Sequence, residues 1–285
     1  MRSIVAVGDV ALNFANYLQK YPEFSIYTFA HTGAEFKIPV FKDIERYEDS
    51  IKGLKKYLST VADDVTFVVS GSEPVSLISL QVLQLLVKKN VDIVYLQPDL
   101  DVQSETGQQL HNLVFGALQE KTRSHVFKEF TVFDLAEVKK VSTAVLLGSY
   151  KKQMAETCAQ HWQTFQWLSS EEPVFEISEQ KIKNAVISSI SYCDFSLTNV
   201  TKLGNLLFTR EREVLYGIPE KRINEDTELH NEIVNNFKEF KEEDVRTSVR
   251  VFSVPFENEI VYVRNSTTAV QNRLLQETVD KQGKQ

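Results

Sequence analysis

The chain has 285 residues, 42% of them hydrophobic and 25% charged, a balance ordinary for a soluble globular protein with one large or two modest domains. Its net charge of −7 argues against nucleic-acid binding, which needs clustered Lys and Arg, and no apolar run reaches the roughly 20 residues that span a bilayer. Two cysteines, Cys158 and Cys193, give neither a disulfide framework nor a zinc site, so no metal and a reducing, cytoplasmic setting are expected.

The N-terminal stretch SIVAV (3–7) reads as a strand, with no signal peptide before it. Gly8-Asp9 turns the chain into a helix over 10–19 with Leu12, Phe14, Ala15 and Leu18 inward, and FSIYTF (24–29) is the next strand. IPVF (38–41) reads as a short strand that Pro39 confines to an edge. A helix is predicted over 47–61. The stretch VTFVVSGSEPVSLISLQVLQLLVKKNVDIVYLQP (65–98) then gives strand, tight turn, helix and strand. Ser72 suits an N-cap, Pro74 the first helical turn, and Leu77, Leu80, Leu83 and Val87 form the apolar stripe. Such βαβ units are parallel and right-handed. Their ligands sit at the carboxyl ends of the strands, here at Ser70–Glu73 and at Gly8-Asp9.

A helix over 106–121, a strand over 126–132 and a short helix capped by Asp134 follow, then a long helical stretch over 143–167. After an extended piece at 173–177, a second helix is expected over 178–194 through Ile182, Val186, Ile190 and Cys193. The remainder changes character. A charged amphipathic helix (225–243) precedes two strands (248–255 and 259–263) read as a hairpin, and Asn265-Ser266 caps a final helix from 267 to about 281. The fold class is thus α/β, a doubly wound and mostly parallel sheet over 1–177. A central connecting helix over 178–194 joins it to a smaller α+β domain over 195–285.

The order of these pieces resembles the tubulin/FtsZ superfamily at five places. AVGDVALNFANYL (6–18) aligns without gaps with the family's first phosphate loop and helix, GVGGAGNNAVNRM in FtsZ-like proteins. Gly8, Asn13 and Asn16 match, whereas Ala6, Asp9 and Ala11 replace glycines. FVVSGSEPVSLISLQVL occupies the place of the signature loop GGGTGSG, of which Gly71 alone is left. The segment 95–120 is similar to the following strand, Pro-containing loop and helix, without the family's Arg. ISYCDFSLTNV (190–200) resembles NxDFxD at the end of the central helix, with Asp194-Phe195 retained and Tyr192 and Leu197 at the other two positions. EIVYVRNSTTAVQNRLL (259–275) is similar to the tubulin-type NSTAIQELF segment.

The resemblance implies a GTP-type site built from Gly8, Asp9, Asn13, Asn16, Ser70, Gly71, Ser72 and Glu73, with Asp194 as the catalytic position acting on a neighbour. Phosphate loops work through successive backbone N–H groups at a helix N-terminus, with glycine letting the backbone approach. Here Asp9 and Glu73 place carboxylates beside that anion, and two like charges about 4 Å apart repel by roughly 1 kcal/mol even in water. The expectation is therefore a structural or assembly protein with a degenerate nucleotide site, no resident cofactor and weak GTP binding at most. It would associate with itself or a related subunit head to tail, with Tyr192 and Phe195 anchoring that interface. Two other readings stay open: a divergent GTP-dependent polymerising cytoskeletal protein, and a Rossmann-like enzyme acting on a nucleotide or sugar. No GxGxxG, GxxxxGK[ST], HExxH or GxSxG motif supports the enzyme. His111, His161 and the cluster Trp162, Phe165 and Trp167 read as packing residues.

Overall fold

A computed structural model describes residues 1–41, 44–47, 53–142, 147–177, 186–269 and 271. The elements in chain order are β1 (Arg2–Val7), α1 (Asp9–Leu18), β2 (Phe24–Ala30), β3 (Phe36–Lys37), α2 (Leu54–Tyr57), β4 (Asp64–Val69), α3 (Ser79–Leu85), β5 (Asn90–Gln97), α4 (Glu105–Arg123), β6 (Glu129–Asp134), α5 (Leu135–Val141) and α6 (Tyr150–Ser170). They continue as β7 (Phe175–Ile177), β8 (Ile187–Cys193), β9 (Thr201–Lys202), β10 (Glu211–Pro219), α7 (Glu220–Glu225), α8 (Leu229–Phe240), β11 (Arg246–Val254) and β12 (Ile260–Thr267).

One sheet runs through the molecule in the order β3-β2-β1-β4-β5-β6-β8-β12-β10-β11-β7, with β9 beside β8. Strands β3 to β6 and β8 are parallel, β12 is antiparallel to both its neighbours, and β10 and β11 are parallel. The parallel strands are buried on both faces, which is why they read as continuous apolar runs. Ile4 and Ala6 point to α1 and α6 on one face, while Val5 and Val7 join the core that holds Ile78, Val82, Val114 and Leu118 of the α3 and α4 side. The doubly wound, mostly parallel α/β architecture is as expected.

Five expectations need correction. The central helix over 178–194 is one. Residues 178–185 lie outside the described residues, and 187–193 form β8, fully paired with β12 and joined to β6 through Phe130, Thr131 and Val132. The spacing of Val186, Ile190 and Cys193 fits a helix, but burial on both faces makes the segment an inner strand. The helix that joins the two halves is α6. It packs on α1, and its core extends to Leu215, Phe252 and Tyr262 of the second half. The hairpin is the second correction: β11 and β12 flank β10 and do not pair with each other. Third, Asn265 and Ser266 are paired residues of β12 and not a cap; the helix expected from 267 to about 281 falls largely on residue 270 and residues beyond 271, which lie outside the described residues. Fourth, the short edge strand is Phe36–Lys37 and not 38–41. Fifth, the stretch after β4 opens with a 3-10 turn, Pro74–Ile78, flanked by Glu73 and not capped by Ser72. Its buried residues are Val75, Ile78, Val82, Leu83 and Leu86, whereas Leu80 and Val87 of the expected stripe are exposed.

A row of charges ties the halves together. Arg264 of β12 meets Glu129 of β6 at 3.3 Å and Glu213 of β10 at 3.0 Å, and Arg250 of β11 meets Glu213 at 2.8 Å. Ser188 of β8 donates to Glu129 at 2.7 Å, and Arg2 pairs with Asp92 farther along the row. Pairs this poorly hydrated contribute little net stability, yet removing one partner strands the other charge.

Candidate functional site

Strands β1 and β4 are parallel neighbours in the register Val7↔Val69, so their carboxyl ends set Gly8 and Ser70 side by side. Gly8 takes φ 102°, outside the range of ordinary L-residues, and its carbonyl accepts the first bond of α1 from Leu12 at 2.8 Å. The first N–H groups of α1 therefore point out of the helix unpaired by it. Into that position comes the side chain of Glu73. Its Oε2 accepts the Asp9 N–H at 2.7 Å, with the Val10 N–H also directed at the carboxylate. A Cβ on residue 8 would collide with the same carboxylate. From the first turn of α6, Lys151 Nζ lies 3.6 Å from Glu73 Oε1.

The Glu73 side chain is only 12% exposed. Burial raises its carboxyl above the usual range. Lys151 draws it back, Asp9 pushes it up, and the Asp9 and Val10 N–H groups draw it back again. The N-terminal end of the helix dipole adds to the attraction for this negative group.

The other expected loop residues divide. Gly71 is not in a positive-φ conformation. It is required by packing: a Cβ there would strike the Tyr95 hydroxyl and come within 3.1 Å of His111 Cα. Tyr95 is wholly buried, and its hydroxyl lies 2.8 Å from His111 Nδ1 and accepts the Gly71 N–H. Ser70 is wholly buried and Ser72 half-buried. Asn13 folds its amide back to the Asp9 carbonyl at 2.9 Å, and Asn16 is exposed on α1.

The structure adds contacts that pattern reading did not show. At the end of β6, Asp134 caps α5 by accepting the Ala136 N–H at 2.9 Å and also takes a bond from Gln97 at 3.1 Å. Burial first, then the charges of Glu137 and Asp99, push its carboxyl up to about 6. Lys139 pairs with Asp99 at 4.0 Å. Only the Asp134 cap was visible beforehand, because a cap is a local signal; Lys151 reaches Glu73 from a remote helix. Among the described residues no group of three or more His, Cys, Asp or Glu could hold a metal ion.

Asp194 is not at the end of a joining helix. It follows β8, where its carboxylate accepts the Thr198 N–H at 2.9 Å, the Asn199 N–H at 3.3 Å and both side chains. Desolvation, the largest single effect, opposes the shift, but these bonds, led by Asn199 and Thr198, together hold the carboxyl down at about 2. The residue closes its own loop, with Leu197 at φ 62° inside it. The acidic residues that follow α6 are Glu171 and Glu172, both exposed. The two expected interface rings are engaged within the chain. Tyr192 stacks on His161, while Phe195 meets Tyr216 edge-on at 5.3 Å and lies under the Arg222 guanidinium at 4.4 Å. Arg222 itself is committed to Asp226, Glu232 and Glu259 beside a pocket of about 640 Å³ between α7 and the β11–β12 connection.

No protein-family model matches the chain, and no curated protein matches it in sequence. Solved structures do match it. A TubZ protofilament of Bacillus thuringiensis serovar israelensis in its GTPγS form superposes with a TM-score of 0.66 at 10% identity, covering 99% of this chain and 92% of that one. CetZ from Methanosaeta thermophila gives 0.65 at 11% identity, covering 98% and 90%. An empty FtsZ dimer of M. jannaschii gives 0.63 at 10% identity, covering 93% and 88%. The chain therefore has the FtsZ/tubulin fold across nearly its whole length.

Proposed function

We propose that this chain, carrying the FtsZ/tubulin fold, is an assembly protein that associates with itself or with a related subunit and does not turn over a nucleotide efficiently. One observation carries the reading: the Glu73 carboxylate lies on the Asp9 N–H, at the helix N-terminus where the resemblance places a phosphate. A nucleotide would have to displace a buried acidic side chain and meet Asp9 beside it. Two further observations support it. The similar structures include a dimer and protofilaments, and no helix among the described residues is long and apolar enough to cross a membrane. Both cysteines are free, Cys158 buried and Cys193 with its thiol pushed up to about 12 by burial and by Asp194, which fits a reducing, cytoplasmic setting. Head-to-tail contact between subunits is heterologous and builds filaments or rings.

The test is analytical ultracentrifugation with and without GTP and magnesium, beside titration calorimetry with GTP. The expected result is concentration-dependent association that GTP leaves unchanged, with no binding heat. A micromolar dissociation constant, about −8 kcal/mol, would sink the reading. Association that appears only with GTP would favour a divergent GTP-dependent polymerising protein.

A further inference from the structure

We propose that Glu73 is the resident ligand of its own loop site, a carboxylate that does without turnover the joining work of a bound oxyanion. The inference rests on the reading of the preceding subsection and names what fills the site.

Three segments far apart in the chain converge on this one carboxylate. The β1–α1 turn supplies the N–H groups of Asp9 and Val10, with the 2.7 Å bond from Asp9. The turn after β4 supplies Glu73 itself, held in place by the 2.9 Å bond from the Ser76 N–H to the Glu73 carbonyl. The start of α6 supplies Lys151 at 3.6 Å. Gly8 at φ 102° leaves open the space that a Cβ would take, and the carboxylate fills it. The position thus has the chemistry of an oxyanion seat: helix N–H donors, a cation and no intervening side chain. The glutamate is 12% exposed, so the seat is occupied and shielded, while Lys151, at 63%, remains the open side.

Two consequences follow. The loops and α6, the helix joining the two halves, stay pinned together with nothing added. Removing the carboxylate frees a seat that a phosphate-type anion can enter. Inorganic pyrophosphate is the probe, added to the full chain at constant ionic strength set with chloride, with thermal melting as the readout. Glu73→Gly should melt at least about 2 °C below wild type, and pyrophosphate should restore part of that loss by binding the folded state. Wild type should not respond. Glu73→Gln, which fills the space without the charge, should ignore pyrophosphate.

Pyrophosphate indifference of Glu73→Gly, or a response of wild type equal to that of the variant, overturns the proposal. If Glu73→Gly does not fold, Glu73→Ala with the same probe decides: a melting temperature that pyrophosphate leaves unchanged overturns it. GTP binding by wild type would defeat the preceding reading, whereas a wild type that ignores GTP with a Glu73→Gly variant that ignores pyrophosphate defeats only this one.

Discussion

The imidazole of His161 lies flat on the ring of Tyr192, with centroids 4.8 Å apart and planes 8° from parallel. The same imidazole places Nδ1 2.9 Å from the Tyr262 hydroxyl. One residue of α6 thereby touches β8 and β12, the two strands that begin the second half of the sheet. Burial pushes the His161 ring down to about 4, so it is neutral at physiological pH and stacks without a charge to solvate.

This contact makes Tyr192 a packing residue, and the same holds for Phe195 between Tyr216 and Arg222. Each ring is half-buried, so Tyr192→Ala and Phe195→Ala should each cost on the order of 1–3 kcal/mol, below the range for fully buried aromatics. Urea unfolding monitored by circular dichroism checks this. Unchanged midpoints together with lost association in ultracentrifugation would return both residues to the role of interface anchors.

Gly71 is held by space and not by backbone conformation. Gly71→Ala should destabilise the fold by about 1–3 kcal/mol through overpacking against Tyr95. Tyr95→Phe removes the obstructing hydroxyl but also the acceptor of the Gly71 N–H, so the double variant should recover part of the loss and not all of it. A double-mutant cycle in urea measures the coupling, and strict additivity would place the strain elsewhere.

Asp134 supplies a pH dependence with a definite sign. Its folded carboxyl titrates near 6, above the usual 3.8, so the protonated form is favoured in the folded chain. Its stabilising contribution is complete below about pH 4 and is lost as pH rises through about 6. Asn keeps the cap on α5 and never ionises. Asp134→Asn should therefore match wild type at pH 4 and exceed it by on the order of 1–3 kcal/mol at pH 7. Guanidinium midpoints at the two pH values check this; an equal difference at both would assign the shift to another group.

The first half of the fold was legible because its signals are local. Strands β1, β4 and β5 are largely apolar runs, Gly8 and Gly71 mark the turns after two of them, and Asp134 caps its helix. The second half was not, because its order is decided by pairing across long separations. Nothing within residues 248–263 shows that β10 comes between β11 and β12, and the spacing of Ile190 and Cys193 suits a helix as well as a strand. The candidate site divides the same way. Both loops could be read directly, including the acids at positions 9 and 73. That Glu73 turns inward onto α1, and that Lys151 meets it there, depends on how α6 lies across the sheet.

Each outer end of the long sheet closes on a stub: β3 has two residues and β7 has three. An edge that short offers too few free N–H and C=O groups to template a foreign strand. Among the described residues every other strand of six or more is paired along both sides or carries one of these stubs. Recruitment by strand addition, the route that leads to swapped or fibrillar aggregates, is thereby hindered where the stubs lie, beside Phe29–Ala30 of β2 and Val249–Val251 of β11. On the proposed assembly reading, contacts between copies would fall to loops and helix faces, where charge and side-chain shape select the partner.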